Sequence, residues 1–145
     1  AFNASAQEHA KGKPQQNREK VEQLKIAYFT KELDLSTEDA EKFWPIYNEM
    51  TDKVREQKKI ARKAAQELKD NASTLSEDQF KEKSVKALDA RVKEAQLQKE
   101  YHGKIAEVIG YKKAAKLLSL EAQFKRELLK RLAEGQESEP SDDDE

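Results

Sequence analysis

The sequence has 145 residues, of which 39% are charged and only 36% hydrophobic, and it contains no cysteine. A chain of this length fits one domain, and so polar a composition excludes a thick globular core while favouring long, solvent-exposed helices. The lack of cysteine excludes disulfides and cysteine-metal sites, and a net charge of −1 argues against a whole-protein nucleic-acid footprint.

The near-neutral total conceals two charged regions. Between Lys53 and Lys116 there are 17 basic and 10 acidic residues, whereas the stretch from Glu134 to Glu145 contains seven acids and no base. The middle of the chain is therefore basic, and its end is acidic. Residues 135–145 are predicted to be a disordered acidic tail, because a block of like charges resists compaction.

Residues 1–16 are predicted to be a flexible leader, since they contain Gly12, Pro14 and mostly small or polar residues. Within them, Ala4-Ser5-Ala6 matches the small-x-small pattern that precedes a signal-peptidase cut. That pattern predicts export, with Gln7 as the first mature residue. The alternative is a chance run of small residues. No stretch of the sequence approaches the roughly 18 apolar residues needed to span a bilayer.

Two helices are predicted first, over about Asn17 to Leu33 and Thr37 to Asp70. The first has an apolar arc covering about half its circumference, so we expect it to touch more than one neighbour. The second opens with Ser36 and Asp39 in a capping-box-like arrangement, and Pro45 should bend it. Its apolar stripe has helical spacing and comprises Ala40, Phe43, Tyr47, Met50, Val54, Ala61, Ala64 and Leu68.

A polar turn at residues 71–74 leads to a third helix, which opens with the capping box of Ser76 and Gln79 and reaches about Val108. We predict that its buried side comprises Phe80, Leu88, Val92, Ala95, His102, Ile105 and Ile109. Gly110 occupies a helix C-cap position.

A fourth helix follows over about Lys112 to Ala133 and ends at Gly135. The sequence thus predicts an all-α domain at residues 17–134, with four helices and a long, bent, antiparallel helical hairpin. The stripes of the hairpin are narrow and rich in alanine, so a monomer would leave apolar area in water. We therefore expect an elongated homodimer.

The segment Phe43-Trp44-Pro45-Ile46-Tyr47 concentrates large apolar side chains on one short stretch. It can be a binding surface on a bent helix, or a small core where the first, second and fourth helices meet. Aromatic residues at helical spacing usually pack, and this favours the core. Trp44 is the residue that we expect to serve both purposes.

Basic residues are frequent on the predicted hairpin, and they suggest an electrostatic function. They include Lys53, Arg55, Lys58, Lys59, Arg62, Lys63, Lys69, Lys81, Lys83, Lys86, Arg91 and Lys93. The alternative is a solvated face balanced by nearby glutamates. Nucleic acid is a poor partner, because the predicted export and the lack of interleaved aromatic residues both argue against it.

Cofactor and catalytic patterns are missing from the sequence. The only histidines are His9 and His102, and the only methionine is Met50, so we expect no tight transition-metal site. His102 is interpreted as a satisfied core or boundary residue. No glycine-rich phosphate loop and no nucleophile motif occurs, so we expect no enzyme and no cofactor.

Two short motifs resemble a known family. Leu75-Ser76-Glu77-Asp78-Gln79 fits an LTxxQ-type helix start with Ser for Thr, and Leu35 to Asp39 fits it at the first two positions. Together with the Phe-Trp-Pro-x-Tyr pattern that ends at Tyr47, they resemble the Spy/CpxP family of small periplasmic helical proteins. The resemblance covers about residues 20–133.

The resemblance implies a bent four-helix hairpin that dimerises into a thin cradle and holds unfolded proteins on a basic concave side without ATP. Other relatives dock on a membrane stress sensor, and a further branch senses metals through His, Met, Cys or acidic ligands. We therefore expect a periplasmic chaperone for unfolded or partly folded proteins. A regulator that docks on a membrane stress or metal sensor is the alternative.

The predicted client-binding residues combine apolar and basic side chains of the hairpin. They are Phe43, Trp44, Ile46, Met50, Arg55, Lys59, Arg62 and Arg91. The first four are expected to be exposed apolar spots, and the other four to attract acidic clients. No catalytic residue and no metal ligand is predicted.

Overall fold

The computed structural model describes residues 13–136, and within that range it contains four α-helices and no strand. They are α1 (Lys13–Glu32), α2 (Thr37–Asp70), α3 (Glu77–Ile109) and α4 (Tyr111–Gln136). The predicted all-α, four-helix fold is confirmed. Most of the predicted leader and of the predicted acidic tail lies outside the described residues.

The two long helices begin at the predicted caps. The Ser36 Oγ accepts a hydrogen bond from the Asp39 backbone N–H at 3.1 Å. The box at the start of α3 is reciprocal, because the Ser76 Oγ accepts from the Gln79 N–H at 3.3 Å and the Gln79 Oε1 accepts from the Ser76 N–H at 2.9 Å. These bonds satisfy donors that a helix N-terminus otherwise leaves unpaired.

α1 begins at Lys13, four residues before the predicted start. Pro14 therefore lies in its first turn, where proline is tolerated because the missing N–H would have no helical partner. At the other end, Asp34 adopts a left-handed conformation with φ of 48°. The Leu35 N–H then donates to the Thr30 carbonyl at 3.0 Å, which closes the helix as a Schellman motif.

Gly110 is the single residue between α3 and α4. Its φ of 84° lies in the region that favours glycine, and its N–H donates to the Ala106 carbonyl at 2.8 Å. The carbonyl of Gly110 in turn accepts from the Ala114 N–H at 3.0 Å, so the same residue ends one helix and starts the next. The predicted C-cap at Gly110 is confirmed.

The chain divides into two compact units. The first comprises the described residues up to Leu35 together with those from Lys116 onward, so it contains α1 and most of α4. In this unit the rings of Tyr28 and Phe124 lie 5.6 Å apart, and those of Phe29 and Phe124 meet edge to face at 6.3 Å. Large aromatic side chains thus join the two helices.

The second unit spans residues 36–115 and is built on the α2–α3 hairpin. Three polar contacts define its register: Lys53 with Tyr101, Lys58 with Glu94, and Glu67 with Lys83. The partner's number on α3 falls as the number on α2 rises, so the two helices are antiparallel, as predicted.

Alanine and a few larger residues form the contact between α2 and α3. The small buried residues are Ala61, Ala64, Ala87 and Ala90. A cluster of Val54, Leu97 and Tyr101 fills the other half of the hairpin, with Ile46 and Met50 packed against it. Small side chains permit close helix approach at one end, while Tyr101 supplies the bulk at the other.

The ion pair of Glu67 and Lys83 should make the hairpin sensitive to acid. Lys83 Nζ lies 2.6 Å from Glu67 Oε2, and this hydrogen bond and charge lower the pKa of the Glu67 carboxyl. A pKa that is lower in the folded state gives stability that is present at neutral pH and is lost as the pH falls through it. We expect Glu67→Gln to lower the melting temperature at pH 7 but not at pH 2.5, as followed by circular dichroism.

The matched control for that experiment is Glu56→Gln, because Glu56 is exposed on the same helix and forms no ion pair within residues 13–136. Its melting temperature should follow the wild type at each pH. A difference between wild type and Glu67→Gln that stayed constant from pH 7 to pH 2.5 would contradict the assignment.

Candidate functional site

The aromatic cluster near the start of α2 is a packing element. The rings of Phe43 and Tyr47 stack at 5.4 Å, and the Trp44 ring meets each of them edge to face at 4.9 and 5.5 Å. Phe43 is completely buried and Tyr47 nearly so, while Trp44 is half-buried. This burial favours the interpretation of the aromatic cluster as a small core.

This burial corrects one sequence-based expectation. Phe43 is not an exposed apolar spot, because no part of its side chain is accessible to solvent. Ile46 and Met50 are half-buried and pack against the cluster of Val54, Leu97 and Tyr101. Of the four predicted apolar contact residues, only Trp44 combines partial exposure with a place in the aromatic cluster.

Four of the predicted basic residues, Arg55, Lys58, Arg62 and Arg91, share one face of the hairpin. Arg55 and Arg62 are seven residues apart, so they lie on the same side of α2, and Lys58 lies between them on that side. Lys58 on α2 forms a 3.5 Å ion pair with Glu94 on α3. This side of α2 therefore lies next to the side of α3 that carries Glu94. Arg91 precedes Glu94 by three residues and therefore belongs to the same face. The structure brings these basic residues together.

Most of these cations have no acidic partner. Arg55 pairs with Asp52 at 3.1 Å on the exposed surface. Within residues 13–136, no ion pair involves Lys59, Arg62 or Arg91, and all three are exposed. Because the charges of Arg62 and Arg91 are not neutralised by a contact, they leave an excess positive field on this face, whereas Lys59 lines a groove beside Ile60.

The outer side of α3 carries an exposed aliphatic stripe, most of which was predicted to be buried. Val85, Leu88 and Val92 are 47%, 56% and 56% exposed, and Ala95 continues the same spacing as an exposed residue. Leu88, Val92 and Ala95 had been predicted to face the core. We call these four residues the α3 stripe.

The physical reason is that α3 has two apolar faces, and the buried one carries alanines where it meets the alanines of α2 and larger side chains, Leu97 and Tyr101, further along. Ala87 and Ala90 pack at the end of the hairpin where Ala61 and Ala64 allow close approach of the two helices, so the larger Leu88 and Val92 are left on the outer side. The signal in the sequence was the alanine content of α2, which predicts an alanine-bearing face on its neighbour.

The α3 stripe extends sideways toward α2. Val85 and Val92 line a shallow groove whose opposite wall is formed by Gln57 and Ile60. Ile60 is half-buried and adds apolar surface to the groove. Arg91, which follows Leu88 by three residues, borders the stripe on the other side. Exposed aliphatic surface and unneutralised positive charge are therefore adjacent on the hairpin.

A polar cluster surrounds the Tyr101 hydroxyl. Lys53 Nζ donates to it at 2.7 Å and lies 2.9 Å from Glu49 Oε1, while Lys104 Nζ lies 4.3 Å from the Tyr101 ring centre and pairs with Glu100. The hydrogen bonds to Tyr101 and Glu49 raise the pKa of Lys53. The bond from Lys53 lowers the pKa of Glu49.

Every resolved pKa shift in the described part of the chain has the same sense. Paired glutamates are lowered and paired lysines are raised, so each group moves further from neutral pH. General acid–base catalysis needs a group whose pKa approaches the working pH. Among these groups, the contacts of Lys53 with Tyr101 and of Glu67 with Lys83 connect α2 to α3, and none of the shifts supports proton transfer.

His102 is a boundary residue, as predicted, but it is not satisfied. Its side chain is half-buried, its ring centre lies 6.5 Å from that of Tyr111, and its Nε2 is buried without a hydrogen-bond partner. Among residues 13–136 there is no group of three His, Cys, Asp or Glu side chains that could hold a metal ion.

Comparison with known proteins adds no assignment: no protein-family model, no curated protein and no solved structure matches the chain. Across the described range, none of the four helices has a stretch both long and apolar enough to cross a bilayer. The candidate site is therefore defined by geometry alone, as the α3 stripe and the cations beside it.

Proposed function

We propose that this chain is an ATP-independent periplasmic chaperone that holds unfolded or partly folded proteins on the outer surface of the α2–α3 hairpin. The observation that carries the proposal is the exposed α3 stripe beside Arg91, together with the unpaired charges of Lys59 and Arg62. Unfolded chains expose both apolar side chains and charges, and a surface of this kind attracts both.

The chemistry of this surface suits transient binding. The α3 stripe offers three larger aliphatic side chains and one alanine, so a bound segment removes little apolar area from water. Attraction by the cations acts at longer range, but it falls off over roughly 8 Å at physiological ionic strength. Neither contribution is large, and clients can therefore fold while bound or leave readily.

The periplasmic location and the homodimer are parts of the same proposal. Both rest on the resemblance of the helix starts at Leu35 and Leu75 to the Spy/CpxP family. Exposed apolar residues on α1 support self-association, because a monomer leaves them in water. They are Val21, Leu24 and Ile26.

A regulator that docks on a membrane stress or metal sensor is a second candidate. The regular spacing of the α3 stripe favours it, because one folded partner helix can match such a spacing. A regulator should bind a single folded protein with fixed stoichiometry, whereas a chaperone should protect several unrelated denatured proteins.

The test is an aggregation assay with two unrelated denatured proteins and no nucleotide. Wild type at a stoichiometric ratio should suppress light scattering by both proteins, because binding covers their apolar segments. The double variant Leu88→Ser/Val92→Ser should lose most of this protection. Leu129→Ser, which changes an equally exposed leucine on α4, should keep it.

Two results would contradict the proposal, the first its chaperone activity and the second its binding surface. If neither denatured protein is protected, the chain is not a chaperone of this kind, and the regulatory function takes its place. If Leu88→Ser/Val92→Ser protects the denatured proteins as well as wild type and Leu129→Ser do, unfolded proteins bind elsewhere on the chain.

A further inference from the structure

The α3 stripe has the spacing of a coiled-coil seam. Its four residues, at positions 85, 88, 92 and 95, follow steps of three, four and three, so they lie in one line along the helix. At 1.5 Å per residue this line is about 15 Å long. A second helix with the same spacing could place its apolar residues between them.

Lysines continue this line at both ends. Lys81 lies four residues before Val85, and Lys99 lies four residues after Ala95, so both fall on the same side of α3. Both are exposed, and within residues 13–136 neither takes part in an ion pair. Their Cα atoms are separated by 18 helical steps, or about 27 Å.

These end charges disfavour a second copy of α3 as the occupant. In a parallel pair, Lys81 would face Lys81 of the other copy, and Lys99 would face its own equivalent. In an antiparallel pair centred on the stripe, Lys81 would face Lys99. Either arrangement sets like charges against each other, which is destabilising at a helix–helix contact.

We infer that the α3 stripe binds an amphipathic helix with acidic ends. Its apolar residues have heptad spacing over about 15 Å, and a carboxylate follows at each end, about 27 Å apart, to meet Lys81 and Lys99. This inference rests on the proposed function and names the class of client segment that the hairpin holds.

The test uses two synthetic helical peptides with the same four-leucine seam. One has glutamate and the other has lysine at the two end positions, and binding of each to the full chain is measured by fluorescence anisotropy at low salt. The glutamate-ended peptide should bind at least about tenfold more tightly, because two attractive contacts replace two repulsive ones.

Variants of the chain locate the binding site. Lys81→Glu/Lys99→Glu should reverse the preference, so that the lysine-ended peptide binds more tightly. Leu88→Ser should weaken binding of both peptides, whereas Leu129→Ser should leave it unchanged, since the two leucines are 56% and 57% exposed. Circular dichroism of each variant confirms that the helices remain folded.

The outcomes separate this inference from the proposed function. Equal binding of the two peptides, or a preference that Lys81→Glu/Lys99→Glu leaves unchanged, would overturn the inference even if denatured proteins are protected from aggregation. Specific binding of the glutamate-ended peptide without such protection would sustain the inference and refute the chaperone. If Leu88→Ser dissociates a dimer of the full chain, a second copy occupies the stripe and the inference is wrong.

Discussion

Tyr101→Ala should lower the free energy of unfolding by about 3–5 kcal/mol, the loss typical of truncating a large buried aromatic side chain. Tyr101 is completely buried and joins Val54 and Leu97 in the cluster that fills one half of the hairpin. Its hydroxyl also accepts from Lys53. Urea unfolding followed by circular dichroism at 222 nm measures the change, which is large beside a typical total stability of about 5–15 kcal/mol.

Two further variants separate packing from polar contacts. Tyr101→Phe keeps the ring and removes only the hydroxyl, so it should cost about 0.5–1.5 kcal/mol, because Lys53 retains Glu49. Tyr111→Ala truncates a tyrosine that is 68% exposed and should change stability by less than about 0.5 kcal/mol. If Tyr101→Ala cost no more than Tyr101→Phe, the ring would not be a core element.

Local signals in the sequence placed α2 and the start of α3, whereas α1 begins four residues before its predicted start and α4 continues through Gly135 to Gln136. The second helix lies where it was predicted, because the Ser36 cap marks its start and a polar turn follows Asp70. Gly110 marks the end of α3, since few other residues adopt a positive φ readily. These features depend only on residues that are close together in the sequence, so they can be recognised from a single sequence.

The face of a helix that packs against its neighbour depends on that neighbour, and here the prediction was wrong. Leu88 and Val92 are the larger aliphatic residues of α3, and their size suggested the core. Ala87 and Ala90 pack there instead, because Ala61 and Ala64 on α2 bring the two backbones close together. How closely two helices pack against each other cannot be inferred from the hydrophobicity pattern of one of them.

The same limitation applies to the candidate site. The spacing of the aromatic residues favoured a core around Phe43, which was also predicted to be an exposed client contact, and the structure buries it fully. Arg62 and Arg91 were both identified from the sequence as basic client contacts. Their common face, however, follows from the register that Lys58 and Glu94 define.

Reversing the charges of Arg62 and Arg91 should slow the capture of an acidic, permanently unfolded protein by about tenfold or more at 10 mM ionic strength. Electrostatic steering of this kind changes association rates by about 10- to 1,000-fold. Screening shortens the range of attraction from about 30 Å at 0.01 M to about 3 Å at 1 M, so the effect should vanish in high salt. Stopped-flow fluorescence of the labelled client measures the association rate.

The control is Lys125→Glu/Arg126→Glu on α4, which changes the net charge by the same amount at two exposed residues without ion pairs in the described range. If capture depends on the local field of the hairpin, this control should slow association far less than Arg62→Glu/Arg91→Glu. Equal slowing by both variants would mean that only net charge matters. An association rate independent of salt would rule out electrostatic capture, because exposed charges act on a distant client only through a screened field.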